Sequence, residues 1–570
     1  MRLEEKIDVA MGRKKADLLF KNVKIVNVFS GEIVEGAIAV SEETIVALEA
    51  IPSKRVIDLQ GRYVAPGFMD AHVHIESAMV SVQEYAKAVV PRGTTAVVID
   101  PHEIANVLGT EGIQYMIDSA KELPLSVYVM LPSCVPASPF ETSGAVLSAK
   151  DLLPFFNEAS VLGLAEMMNF PGVLMNVPDV LEKIDMAKNR PIDGHAPGLS
   201  GYALSAYISA GIRSDHECTT AEEALEKVRK GMMVFIREGT AAKNLDALLP
   251  LVKPENATRF AFCTDDRHPL DLGSQGHMDD IVRKAIQKGL DPVLAIRLAS
   301  YHPATHFGLH DRGAIAPGFK ADFMVLDNLE KISIRQVYSR GKLVAENGQC
   351  VDFPFSSRNV PRSLGAFHVK PFHVESLEIP VSKGKIRVIE IIPGQIVTRM
   401  RIEAPRERHG KVVSDPSRDI LKMAVVERHK ATGNIGLGFV SGFRLQEGAI
   451  ASSVAHDAHN LIAVGVEDED IFVALQEVIR LQGGLVVVSK KKVVAALSLP
   501  IAGLMSNQSL EKVSQKIEML KKIAHELGCG LEDPFMQLSF LALPVIPELK
   551  LTDRGLVDVS KFEFVPLFVD

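Results

Sequence analysis

Six side chains stand where short apolar runs end: His72 and His74 after PGFMDA, Glu166 in GLAEMM, His195 in IDGH, His216 in SDHE and Asp265 in FCTDD. Imidazole nitrogen and carboxylate oxygen are the donors that first-row divalent metals accept. Four histidines with two carboxylates suffice for two ions joined through a shared carboxylate. Ions of this kind lower the pKa of a bound water from 15.7 to about 7, so the chemistry they offer is hydrolysis. His72 and His74 lie two apart in an extended run, and both rings leave the same face. One HxH pair, or one carboxylate at a strand end, has an ordinary explanation in local hydrogen bonding; six in equivalent places point to a metal centre.

A second group lies close by in sequence. Asp100, His102 and Glu103 occur in DPHEIAN, directly after a strand-like run, where His102 and Glu103 could approach a planar substrate and Asp100 could place their loop. Glu103 is the candidate proton donor, and capping of a helix start is the competing role. Arg237, Glu238, Asp266 and His268 follow later runs and could support the site or form ordinary ion pairs. His456, Asp457 and His459 in SSVAHDAHN suggest a loop over the site from this chain or a second subunit, another metal site, or a simple turn. No GxSxG elbow accompanies that string, which removes the serine-nucleophile reading. Lys490, Lys491 and Lys492 after GGLVVV read as the exposed turn of a hairpin, because a phosphate loop would need GKS or GKT.

These residues need elements that bring them together. Runs ending at Asp70, Asp100, Leu131, Met167, His195, Glu217, Glu238 and Asp266 alternate with amphipathic stretches such as AEEALEKVRKGM and DIVRKAIQKGLDPVLAIRLAS. Eight strands separated by helices predict an α/β protein with a (β/α)8, TIM-like barrel, whose functional residues project from the C-terminal strand ends. An open doubly wound sheet is the alternative, but no GxGxxG turn favours it. From Leu18 to Arg62 the texture is short alternating antiparallel strands, and it returns in GAIAPGFKADFMVLD and ISIRQVYSRGKLVAENG. Both flanks therefore build one small β-sandwich domain, residues 1–65 plus 311–350, around a barrel at 66–310. The remaining 351–570 is expected to be an α+β domain closed by a helix near 510–527.

Composition sets limits. Of 570 residues, 47% are hydrophobic and 24% charged, as in ordinary soluble domains, and the length calls for more than one of them. Lys and Arg number 63 against 71 Asp and Glu, a net charge of −8 that argues against a nucleic-acid partner. No run of about 18 apolar residues and no signal-like N-terminus is found, so a soluble cytoplasmic protein without a membrane partner is expected. Five scattered cysteines fit that reducing compartment.

PGFMDAHVHIES resembles the first-strand signature of the amidohydrolase superfamily, and GAIAPGFKADFMVLD its return into the small β domain. DPHEIANVLG, LPSCVPASPFE, EMMNFPGV, DGHAPGL, SDHE, SVAHDAHN and LPIAGLMS together resemble the adenine deaminase family over nearly the whole chain. That resemblance implies hydrolysis of adenine to hypoxanthine and ammonia in purine salvage, by a protein that is a homo-oligomer, a dimer. It implies two divalent ions, manganese first, with iron or zinc as substitutes. His72, His74 and Asp265 would hold one ion, His195 and His216 the other, and Glu166 would bridge them in place of the superfamily's carbamylated lysine. Asp265 would shuttle a proton to the leaving amino group. Alternatives are a related amidohydrolase acting on another purine, a nucleoside or a cyclic amide, and a non-catalytic scaffold.

Overall fold

A computed structural model describes residues 1–351, 364–365, 367–393 and 395–569; the opening of the third expected domain, 352–363, lies outside the described residues. Eight short parallel strands form the centre: β1 (Phe68–Val73), β2 (Thr94–Ile99), β3 (Ser126–Leu131), β4 (Val161–Met167), β5 (Ile192–Gly194), β6 (Ser214–Asp215), β7 (Met233–Arg237) and β8 (Phe260–Cys263). The first five pair in chain order, as do the last three. A hydrogen bond from Arg213 N–H to Ile192 O at 3.0 Å joins the two groups. The ring closes where Asp265 N–H donates to His72 O at 2.9 Å and His74 N–H to Asp265 O at 3.3 Å. The result is the expected (β/α)8 barrel.

Small and soft side chains, with Phe235 the large exception, fill its interior, among them Met69, Ala71, Ala96, Val98, Met130, Ala165, Ala261 and Cys263, while the alternate residues pack outward against helices. The helix Ala221–Arg229 shows why these segments fold as they do. Thr220 accepts the Glu223 N–H, acidic residues occupy the first turn, and Lys227 and Arg229 stand in the last, each complementing the helix dipole. The long amphipathic stretch after Asp279 is two helices, Met278–Gln287 and Pro292–Leu298. Gly289, at φ 97°, ends the first, and Asp291 caps the second by accepting the Leu294 N–H.

Both flanks join in one eight-stranded sheet in which Ser53–Pro66 pairs antiparallel with Phe323–Asn328, from beyond the barrel. The sheet is not wholly antiparallel, because Ala16–Asn27 and Ser53–Pro66 run parallel. Alternation of side chains reveals strands but not their direction, so this pairing was not legible.

A nine-stranded sheet dominates the C-terminal part, with Asp468–Arg480 packed on one face. Lys490 and Lys491 have φ of 52° and 62° at the hairpin between Gly484–Ser489 and Lys492–Ser498, as a two-residue turn requires. The expected late helix is Leu510–Glu526, capped by Ser509. It does not close the chain: a short helix, Pro534–Ser539, and a three-stranded antiparallel sheet, Leu549–Thr552, Gly555–Asp558 and Glu563–Val565, follow it. Strands of three or four residues are too short for alternation to reveal. Among the described residues no helix is long and apolar enough to cross a membrane.

Candidate metal centre and active site

All six candidate ligands meet at the C-terminal mouth of the barrel. Strict alternation would prevent it: Ala71 and Ala165 face the barrel interior, so His72, His74 and Glu166 ought to face out. Each strand carries an irregularity at that point. Asp70 pairs with Val97 and Val73 with Ile99, three residues against two; Leu164 pairs with Ile192 and Met167 with Gly194 in the same way. The extra residue inverts the facing, and Leu164 and Met167, three apart, share the outer apolar cluster. His72, His74 and Glu166 consequently turn inward.

Glu166 stands at the centre. Its Oε1 faces His74 Nε2 at 3.4 Å and His72 Nε2 at 3.8 Å. Its Oε2 faces His195 Nδ1 at 2.8 Å and His216 Nε2 at 3.2 Å. Asp265 Oδ1 completes the first set, 3.1 Å from His74 Nε2 and 3.6 Å from His72 Nε2. Asp265 has φ 57°, a costly conformation for a residue with a side chain, and it is held there by its two backbone bonds to His72 and His74. His74 Nδ1 bonds to the Asp100 carbonyl at 2.9 Å, which leaves Nε2 aimed into the centre.

Donors on one ion, at bond lengths of about 2.0–2.2 Å, lie roughly 3.0–3.5 Å apart, and most of these separations approach that spacing. The electrostatics agree. Burial would raise the Glu166 carboxyl, yet hydrogen bonds from His195, His216 and His74 hold it well below the usual range. Burial likewise opposes ionisation of Asp265, but the Arg237 charge and bonds from His72 and His74 keep it low. Burial would lower His216, which Glu166 nonetheless raises to about 9. A pocket that favours imidazolium this strongly favours a divalent cation, so these residues fit two ions.

Asp100, His102 and Glu103 line the same mouth. Asp100 Oδ1 accepts the His102 N–H at 3.1 Å, and its Oδ2 lies 3.1 Å from His102 Nδ1. His102 Nδ1 is also 3.5 Å from Glu166 Oε1. Glu103 caps nothing; the cap falls to Glu76, whose Oε1 accepts the Ile104 N–H at 3.2 Å. Glu103 points instead to the C-terminal sheet, accepting from His456 Nδ1 at 2.7 Å and contacting His459 Nε2. The loop carrying His456, Asp457 and His459 therefore covers the mouth from the same chain.

Arg237 bridges Asp265 Oδ2 at 2.6 Å and both oxygens of Glu217, at 2.5 and 2.9 Å. Glu238 turns away to Lys284 at 3.1 Å, an ordinary ion pair. Asp266 accepts from Ser77, and His268 lines a cavity beside Glu103 and His456. Glu217 is the residue sequence reasoning missed. It lies 3.4 Å from His216 Nε2 and 3.6 Å from His195 Nδ1. Following His216 directly, it would point away on a regular strand, but β6 has already ended at Asp215, so no pattern marked it.

A closed eight-stranded barrel with this donor set at its C-terminal mouth is a metal-dependent hydrolase of the amidohydrolase type, and the amidohydrolase family model matches residues 63–344. A second model, the adenine deaminase C-terminal domain, matches 395–563. The adenine deaminase of Desulfatibacillum aliphaticivorans is 52% identical over 569 residues, 99% of each chain. That of Methanothrix thermoacetophila is 48% identical over 572 residues and covers 100% of each. The chain belongs to the adenine deaminase family. Among solved structures, the beta-aspartyl dipeptidase of Fervidobacterium islandicum AW-1 aligns at 18% identity with a TM-score of 0.46, covering 60% of this chain and 100% of that one.

Proposed function

We infer that this chain hydrolyses adenine to hypoxanthine and ammonia. The observation that carries the reading is Glu166, whose two oxygens each face a separate pair of histidines within a chain akin to adenine deaminases along its whole length. On this reading His72, His74 and Asp265 would hold one ion and His195 and His216 the second, with Glu166 available to both; manganese is the ion we assign, with iron or zinc able to substitute. When bound, the ions supply hydroxide at neutral pH.

The chain's own residues then manage protons. Asp265, kept ionised by Arg237, takes a proton from the attacking water and delivers it to the amino nitrogen at C6, which leaves as ammonia. Glu103 serves the ring nitrogen that gains a proton as aromaticity is lost. His102 and Asp100 line the substrate side. We place the enzyme in purine salvage in the cytoplasm, as a homodimer, with the three-part division at 1–65 plus 311–350, 66–310 and 351–570. Support for a reducing compartment comes from the five cysteines, all free and four of them buried.

The test is ammonia release from free adenine after reconstitution with manganese, with adenosine alongside. Turnover of the base alone is expected. Two bound metals with silence toward both would discard the substrate and keep the centre; failure to bind metal would overturn the ligand assignment.

A further inference from the structure

Glu103, His456 and His459 form a buried cluster of two imidazoles and a carboxylate outside the six-ligand set, where the barrel helix His102–Leu108 meets the C-terminal loop before Asn460. Two uses are chemically open, a third metal site or a proton-carrying hydrogen-bond chain. The tautomer decides between them. A ring nitrogen that carries a hydrogen donates and does not ligate a cation. Glu103 Oε1 accepts from His456 Nδ1 at 2.7 Å, and its Oε2 contacts His459 Nε2, the nitrogen that carries the hydrogen.

The two histidines are not equivalent. Ala455 N–H donates to His459 Nδ1 at 3.2 Å, so Nε2 carries the hydrogen and donates to Glu103. Burial pushes His459 down to about 4, which keeps it a fixed neutral donor. His456 lies under the Phe540 ring at 4.6 Å and is faced by Glu103, Asp457, Asp266 and His459. Burial would lower it, but Glu103 raises it to about 9, so its proton is present at neutral pH. Glu103 and both histidines border a cavity at the barrel mouth that Ser77 and His268 also line.

We propose that the C-terminal domain completes the active site: His456 is the proton source, Glu103, ionised at rest, hands that proton on to the substrate ring nitrogen as the nitrogen gains basicity, and His459 is the positioning residue that orients Glu103. This deepens the adenine-hydrolysis reading and rests on it. The balance closes. Water's oxygen bonds to C6 and the C6–N6 bond breaks. Of the two protons water loses, one passes through Asp265 to N6, which departs as ammonia; the other is released to solvent from the C6 hydroxyl, and solvent returns one proton to His456 in place of the one it gave the ring nitrogen through Glu103.

The experiment uses the full-length, manganese-loaded protein and two variants, His456→Ala and His456→Gln. Both are expected to keep two metals and lose about 10²–10⁴-fold in kcat. Glutamine can donate a hydrogen bond to Glu103 but cannot release a proton, so it separates relay from packing. The fall of wild-type kcat on the alkaline side should vanish in His456→Gln, and added imidazole should restore His456→Ala as the imidazolium fraction rises. Turnover within threefold of wild type, or a loss in both variants that imidazole leaves unmoved with the alkaline limb unchanged, would overturn the relay. If His456→Ala does not fold, the alkaline limb of His456→Gln decides. Wild-type protein with two metals and no adenine turnover would instead refute the substrate reading.

Discussion

Single residues do their work here through other residues. Lys227 is fully buried, donating to Ala196 O at 2.8 Å, Asp215 Oδ2 at 3.0 Å and Glu223 Oε1 at 2.8 Å. Asp215 in turn accepts the N–H of Ala196 at 2.8 Å and of Glu217 at 3.0 Å, fixing the backbone beside His195 and His216. Removing one partner of a buried pair strands the other charge. Lys227→Met should therefore cost about 3–5 kcal/mol in denaturant unfolding. Affinity for the second metal should fall about 10- to 100-fold in titration with a competing chelator, as for other losses of ligand support. Unchanged affinity would show that His195 and His216 are placed without Asp215. None of this support was readable from the sequence, because Lys227 looks like one basic residue among several on an amphipathic helix.

At the scale of elements, periodicity served well where strands and helices are long. VLGLAEM is β4 from its first residue to its last, and each ligand lies at or just past a strand end because a parallel barrel has its open face there. What periodicity hid is the pair of bulges, since one inserted residue in an apolar run changes facing without changing composition. Nor could it give the parallel pairing in the flanking sheet or the contact between Glu103 and a loop some 350 positions later. β4 holds its place by close approach to β5. A Cβ on Gly163 would lie 1.9 Å from the Pro191 carbonyl oxygen, a backbone atom that moves only with its strand. Gly163→Ala should push the strands apart, costing roughly 1–3 kcal/mol of stability as other overpacked sites do. Because β4 carries Glu166 and β5 leads to His195, bound metal should fall below two per chain by elemental analysis; a fully loaded, equally stable variant would contradict the argument.

Across the whole molecule, barrel and C-terminal sheet are joined by contacts of two kinds. Thr142 N–H to Asp553 at 2.9 Å, Thr552 Oγ1 to the Phe140 carbonyl at 2.7 Å and Ser506 N–H to the Met79 carbonyl at 2.8 Å are anchored on backbone groups. The Glu103–His456 pair is ionic and buried, and its strength follows pH. Glu103 lies well below its ordinary 4.5: burial opposes its charge, but the histidines around it outweigh that. Its contribution is complete above 4.5 and is lost as pH falls through the folded value. His456 stands above its ordinary 6.5, at about 9, so its contribution is complete below 6.5 and is lost as pH rises through 9. Both halves are intact only between 4.5 and 6.5. The shift in His456 corresponds to about 3 kcal/mol, or roughly a hundredfold in local opening. Hydrogen exchange corrected for intrinsic rate should therefore show protection of the loop around Ala455–Asn460 falling about a hundredfold, relative to β4, between pH 6.5 and 9.5, and His456→Gln should flatten that dependence. Equal protection at both pH values would mean that the loop is held by its backbone contacts alone. A measured fall would tie opening of the active-site mouth to the same proton that the relay delivers.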